Sequence, residues 1–240
     1  MCTVIIRIPN SAAEPVRLIA IRDEDPARAW LPLGASWPDT HPGVVGVRDT
    51  RAGGAWLAAD PARGRLAVLL NRADRSTRPE SELVSRGGIV LASVAGESPS
   101  GEPATHGFNL VEVDGSRVSV SMWDGEALRT EALEPGTHML AHDDVDDPRT
   151  ARIARWLPDF REAPAEGDAW WVPWLQIIER SAELPHDDDR TIVRDNRAFG
   201  YPTLSLLVCA AAVSPGAVDL RYAELPAPGQ WGALDLAPGH

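Results

Sequence analysis

Over about the first 140 residues, short apolar, β-branched runs recur between turn-forming clusters. Thr3 to Ile8 and Val16 to Arg22 predict two strands joined by the turn segment Pro9 to Pro15. Ala55 to Ala59 and Arg65 to Leu70 repeat the pattern around Asp60-Pro61-Ala62-Arg63-Gly64, and Phe108 to Val113 with Arg117 to Trp123 repeats it around Asp114-Gly115. Gly136 to Ala141 reads as a strand end. The period then lengthens. Asp147 to Phe160 sets Ile153, Trp156 and Leu157 on one side, and Trp171 to Ala182 spaces Trp171, Trp174, Leu175 and Ile178 as a helix does. These two segments predict amphipathic helices, the second with Pro173 in its first turn, where its missing N–H has no intrahelical partner to lose. Strand character returns at Thr203 to Val213 and Val218 to Glu224. Residues from about 226 to 240, rich in Pro and Gly, read as a flexible tail. Strands, then helices, then strands, with no linker-like break, predict one α+β domain of stacked layers over 1–240.

A chain of 240 residues buries about 70–75% of its unfolded surface and needs no disulfide or metal staple. Its 44% hydrophobic and 24% charged residues are ordinary for a globular protein. Lys plus Arg number 23 against 35 Asp plus Glu, a net charge of −12, which argues against a nucleic-acid partner. No run approaches the roughly 18 apolar residues of a membrane span, so no integral membrane association is expected. The opening MCTVIIRIPN has neither a basic start nor a long apolar region, and the expectation is a cytoplasmic protein. Every basic residue is Arg, which excludes Schiff-base and P-loop lysine chemistry. Cys2 and Cys209 have no metal-ligand spacing. His138 and His142 stand near a strand end rather than on a helix face, and the acidic runs Asp143 to Asp147 and Asp187 to Asp189 lack a calcium-loop pattern, so no metal site is expected.

The candidate chemistry begins at position 2. Loss of Met1 leaves Cys2 with a thiol and a free α-amine on one residue, and an α-amine of pKa about 7.7–8.0 is a suitable base near neutrality. Short motifs follow in order: Cys2-Thr3, Ile21-Arg22-Asp23-Glu24, Gly53-Gly54-Ala55-Trp56-Leu57, Leu69-Leu70-Asn71-Arg72, Ser85-Arg86-Gly87, Gly107-Phe108-Asn109-Leu110, and Leu133-Glu134-Pro135-Gly136-Thr137-His138-Met139-Leu140. Together they resemble the NRDE family, which includes the transport and Golgi organisation protein 2 proteins. The resemblance covers about the first 160 residues well and the rest loosely.

The resemblance implies an Ntn-hydrolase-like, four-layer αββα sandwich of two antiparallel sheets flanked by helices. It implies Cys2 as nucleophile, Arg22 as a fixed cation beside the thiolate, and Asp23 hydrogen-bonded to the α-amine or the arginine. Asn71 stands where an oxyanion-hole amide is placed, and one such donor is worth about 3–4 kcal/mol of barrier. His142 stands, after Ala141, where the family commonly has Ser-Asn, and an imidazole there donates a hydrogen bond or titrates. The family usually has Asn at Ile21 and Tyr-Gly-Thr-Arg at Phe199-Gly200-Tyr201-Pro202. Strand alternation sends the Arg22 and Asp23 side chains to opposite faces. Candidate ligand contacts are Trp56, His106 and Asn109, with Trp171 and Trp174 forming a lid. The expected activity is that of an N-terminal-cysteine amidohydrolase or acyl-transfer enzyme on a small amide or acyl substrate, with no required cofactor. The alternative is a non-catalytic haem or acyl-lipid binding and trafficking protein, with haem as cargo and Cys2, His106 and His142 as candidate iron ligands.

Overall fold

The structure, a computed structural model, describes residues 2–238. The chain runs β1 (Thr3–Ile8), β2 (Val16–Glu24), β3 (Trp30–Gly34), β4 (Val45–Asp49), β5 (Ala55–Asp60), β6 (Arg65–Asn71), α1 (Gly87–Ala95), β7 (Phe108–Asp114), β8 (Arg117–Trp123), β9 (Leu128–Ala132), β10 (Gly136–Leu140), α2 (Ala151–Glu162), α3 (Val172–Ala182), β11 (Leu204–Ser214), β12 (Ala217–Glu224) and β13 (Ala237–Pro238). One sheet has the order β10-β1-β2-β11-β12-β13, the other β3-β4-β5-β6-β7-β8-β9. Neighbouring strands are antiparallel throughout.

Side-chain alternation builds three apolar layers. Val4, Ile6, Leu18 and Ala20 of the first sheet face Val68, Val111 and Val120 of the second. Ile5, Ile19 and Ile21 turn the other way, against Ile153, Trp156 and Phe160 of α2 and Trp174 and Ile178 of α3. On the far side, Ala58, Ala67, Phe108 and Leu110 pack on Val90 and Val94 of α1. The result is the αββα sandwich that the resemblance implied. Because the central strands are covered on both faces, they read as continuous apolar runs rather than strict alternation.

Several elements differ from the sequence expectation. Helix α1, GGIVLASVA, was not anticipated, since it is short, opens on two glycines and has no charged face to set a period. Strand β3 carries Pro32, β4 carries Gly46 and Arg48, and β9 is largely polar, so none has the β-branched run that marks a strand. Helix α2 starts at Ala151, not Asp147, because Asp147 accepts from the Arg149 backbone N–H at 2.9 Å and forms a turn with Pro148. The segment expected as a tail runs back along the first sheet. Leu225 and Leu236 are buried, Gly229 N–H donates to the Ser205 carbonyl at 2.7 Å, and β13 pairs with β12. Residues 239 and 240 of that expected tail, and Met1, lie outside the described residues. No helix among the described residues is long and apolar enough to cross a membrane.

Arg7 of β1 fixes the helix layer to the sheet. Its guanidinium donates to the Thr137 Oγ1 at 2.7 Å and to the Ala163 carbonyl at 2.8 Å, and also reaches the Phe160 and Arg161 carbonyls. A cation thus meets the exposed carbonyls at the negative end of α2. It also lies 5.3 Å from the Trp174 ring centre. Arg7→Met keeps the apolar stem and removes these donors. The expected loss is about 2 kcal/mol of unfolding free energy, read by urea denaturation; an unchanged midpoint would show that water replaces the guanidinium without cost.

Candidate active site

Backbone contact without side chains places the first wall of the site. A Cβ on Gly54 would lie 2.4 Å from the Gly87 carbonyl carbon, so the start of β5 and the start of α1 touch main chain to main chain. That approach sets Arg86, at the α1 N-terminus, beside Trp56. The Arg86 guanidinium donates to the Gly107 carbonyl at 2.7 Å. Gly107 in turn leaves no room for a Cβ, which would stand 2.8 Å from the Ala73 carbonyl oxygen.

The opposite wall comes from β1 and β2. Cys2 shares the inter-sheet face with Val4 and Ile6, and Arg22 shares it with Leu18 and Ala20. The Cys2 Sγ accepts from the Asp23 backbone N–H at 3.4 Å and lies 3.7 Å from the Asp23 carbonyl oxygen. Between the walls is a cavity of about 500 Å³ lined by Cys2, Arg22, Trp56, Asn71, Arg86 and His106, among others.

Charge in this cavity is mixed and mostly paired. Arg22 lies 3.4 Å from the Glu24 carboxylate and 5.6 Å from the Trp30 ring centre. Arg28 donates to Asp49 through Nε at 2.6 Å. Two buried N–H groups have no hydrogen-bond acceptor among the described residues, Arg22 Nη1 and Trp56 Nε1. Burial pushes the Cys2 thiol above its ordinary pKa and the Asp23 carboxylate adds to the rise, while the Asp23 N–H and Arg22 act against it. The thiol as it stands is therefore protonated at neutral pH. Burial also pulls the Arg86 guanidinium down, and Cys2 and Glu24 oppose that pull.

A model of the family "Transport and Golgi organisation 2" matches residues 1–198. The chain belongs to that family. Among curated proteins, none matches the sequence. Among solved structures, a C2A mutant of the conjugated bile acid hydrolase from Clostridium perfringens is similar at 10% identity and a TM-score of 0.46, over 99% of this chain and 96% of that one.

In this Transport and Golgi organisation 2 family member, the candidates expected from sequence are dispersed. Cys2, Arg22, Asn71, Trp56 and His106 share the cavity. The Asp23 carboxylate points to the helix-layer face and accepts from Ser205 Oγ at 2.6 Å, so its link to the cavity is through its backbone. His142 lines a different pocket, beside Thr150 and Arg152. Asn109 is fully buried and its amide donates to the Ala141 and Asp143 carbonyls at 3.2 and 2.8 Å while its oxygen accepts from Arg72, which ties β7 to the segment after β10. Trp171 and Trp174 pack in the helix layer, where Trp170 meets both rings edge to face. They do not cover the Cys2 cavity, and their helical spacing reflects a core face. Ile21, where the family usually has Asn, belongs to that same apolar layer. Sequence reasoning missed Arg86 and Arg28; the Ser85-Arg86-Gly87 motif was the available signal for the first.

His106 sits at the cavity rim with Nδ1 against Asp74 and Nε2 3.1 Å from Glu80. The hydrogen bond with Asp74 raises its pKa above the ordinary imidazole value. A raised folded-state pKa means that the contact is complete below the unfolded value of about 6.5 and is lost as pH rises through the higher folded value. An NMR titration of the His106 ring should therefore show a midpoint above that of an exposed histidine, and Asp74→Asn should bring it down. A midpoint unmoved by Asp74→Asn would mean that the rim contact does not persist in solution.

Proposed function

We propose that the protein is an N-terminal-cysteine amidohydrolase or acyl-transfer enzyme acting on a small, polar amide or acyl substrate. The observation that carries this reading is that the Cys2 thiol lines one 500 Å³ cavity with Arg22 and Asn71, beside two buried donors that have no acceptor among the described residues.

A buried thiol held protonated needs a base close by. Removal of Met1 supplies one, since the freed α-amine belongs to the same residue. In the first step that amine takes the thiol proton, sulfur attacks the substrate carbonyl carbon, and the C=O electron pair moves onto oxygen. Arg22, Trp56 Nε1 and the Asn71 amide are the donors available to that oxyanion. One donor of this kind is worth about 2.7–4 kcal/mol of barrier. Collapse breaks the carbonyl–nitrogen bond, and the α-ammonium returns its proton to the leaving amine. Water then attacks the thioester, the α-amine takes its proton, and the acid leaves as the thiol is restored. An acceptor amine or thiol in place of water makes the same step a transfer.

The wall of Arg28, Arg51, Arg86 and Glu80 favours a polar substrate over a long apolar chain. No observation on this cavity favours the haem or acyl-lipid carrier, because His106 is held by two carboxylates and His142 lies elsewhere.

Intact-mass measurement, iodoacetamide labelling and turnover of a panel of amides and acyl thioesters test the reading together. The expected protein is lighter by one methionine, labels at Cys2 with an inflection near the α-amine pKa of about 8, and loses at least about 100-fold in turnover in Cys2→Ala. An active protein that retains Met1, or a Cys2→Ala variant as active as the parent, overturns it.

A further inference from the structure

The wall of the Cys2 cavity holds more positive charge than its own carboxylates take up. Arg28 meets Asp49 at 2.6 Å, and that carboxylate also accepts from the Arg51 and Ala52 backbone N–H groups at 2.9 and 3.0 Å. Glu24 lies 3.4 Å from Arg22 and 3.9 Å from Arg28. Glu80 stands against His106, which also meets Asp74. The Asp23 carboxylate is turned to the helix layer, on Ser205. Two lining arginines remain for which no carboxylate among the described residues lies within ion-pair distance: Arg51, which is exposed, and Arg86, which is partly buried.

Arg86 is the better placed of the two to hold a ligand. Main-chain contact between Gly54 and Gly87 fixes the chain beside it, and its Nη1 is anchored on the Gly107 carbonyl at 2.7 Å. Its Nε and Nη2 have no hydrogen-bond partner among the described residues. The carboxylates whose fields reach it, Glu24 and Asp74, are those already held by other cations. The start of α1, a nine-residue helix, lies on the same wall through Gly87 and adds partial positive charge. A guanidinium immobilised at one nitrogen, with the Nε–Nη2 edge open, matches the two oxygens of a carboxylate. A single uncompensated guanidinium inside the cavity suits a single negative charge, whereas Glu24, Asp49 and Glu80 in the same walls repel a phosphate dianion.

We propose that the substrate of the Cys2 site is a monocarboxylate, whose carboxylate sits on the Nε–Nη2 edge of Arg86 while its amide or acyl carbonyl meets the Cys2 sulfur. This deepens the amidohydrolase reading and rests on it. Arg86 then sets specificity and position. Arg22 Nη1 and Trp56 Nε1, buried donors without an acceptor among the described residues, stay available to the oxyanion that forms later. The cavity of about 500 Å³ that Arg86 shares with Cys2 limits the substrate to a small compound.

Two acids with the charge on opposite sides of the amide, succinamate and N-acetylglycine, are compared with their neutral counterparts, succinamide and N-acetylglycinamide. Calorimetric titration of the full-length Cys2→Ala protein reads binding without turnover, and hydrolysis is followed in the parent. At least one acid should bind about tenfold or more tighter than its counterpart, and the ratio should shrink between about 0.05 and 0.5 M salt. Arg86→Gln should bring that acid to the affinity of its counterpart, leave the counterpart unchanged, and lower kcat/KM for the acid about tenfold or more. Should Arg86→Gln fail to fold, the acid-to-amide ratio and its salt dependence in the Cys2→Ala protein decide the matter. Equal binding of acids and amides, or an acid preference that Arg86→Gln does not alter, overturns the carboxylate assignment; if Cys2→Ala abolishes turnover of a neutral amide in that case, the Cys2 reading stands without it. An acid held on Arg86 that the parent does not turn over, or turns over no faster than Cys2→Ala does, overturns the Cys2 reading instead and leaves Arg86 as a carboxylate-binding group.

Discussion

Asp23 is engaged on two sides of its strand at once. Its backbone N–H reaches the Cys2 Sγ at 3.4 Å, and its carboxylate accepts from Ser205 Oγ at 2.6 Å in the layer behind. Ser205 is itself fixed, because its hydroxyl accepts from the Arg194 backbone N–H at 2.8 Å and its own N–H donates to the Arg194 carbonyl. β11 departs from regular pairing at this point, with a register shift between Ser205 and Leu207 opposite Asp23 and Arg22. A bulge beside a strand end re-aims side chains. Here it lets the β2 carboxylate and the β11 hydroxyl meet while Arg22 stays on the inter-sheet face. The strand period of two then divides the charge: the cation of Arg22 goes to the thiol cavity, and the anion of Asp23 goes to the helix layer with Arg152 and Arg194.

Glycines supply the other half of the geometry. Gly54 and Gly87 meet backbone to backbone, and Gly107 sits against the Arg72 and Ala73 carbonyls. Each belongs to a short motif whose neighbour is a polar or aromatic cavity residue: Trp56 after Gly54, Arg86 before Gly87, His106 before Gly107. A side chain at any of the three would push a wall of the cavity outward. These three motifs, far apart in sequence, are therefore neighbours in space, with small residues setting distances and adjacent residues lining the cavity. The match over residues 1–198 takes in all of them and stops before Ser205, so the hydroxyl that holds Asp23 lies outside the matched span.

How far the sequence revealed this depends on the residue. Paired hairpins with alternating or buried apolar runs, such as β7 and β8 around Asp114-Gly115, are visible because turn chemistry and β-propensity agree. Helix α1 and the edge strands β3 and β9 are hidden, since tertiary contact rather than local pattern stabilises them. In the site, strand alternation separates Arg22 from Asp23 as the sequence predicts, but pattern alone does not tell a pocket tryptophan from a core one. Trp56 lines the cavity and Trp174 fills the helix layer, and both are buried with an indole N–H that has no partner among the described residues. The polar roles of Asn109 and Ser205 depend on partners 32 and 182 residues away. Separation of that size leaves no local trace.

The two cysteines show why burial alone does not decide reactivity. Both are buried in the apolar layer between the sheets, and burial raises the pKa of each thiol. Cys209 lies in the middle of β11, paired with Ala20 and Tyr222, and Arg22 only slightly offsets the effect of its surroundings. Among the described residues its sulfur makes no hydrogen bond, and it behaves as a small hydrophobe. Cys2 has the same protonated starting state but a different boundary: an N–H aimed at sulfur, a guanidinium on the same face and a cavity in front. In the proposed reaction those features would stabilise a thiolate after the proton leaves without removing it themselves. The base of the proposed reaction is the α-amine that processing of the chain would free on the same residue. The low dielectric that suppresses the thiolate at rest also strengthens the Arg22 and N–H interactions once it forms.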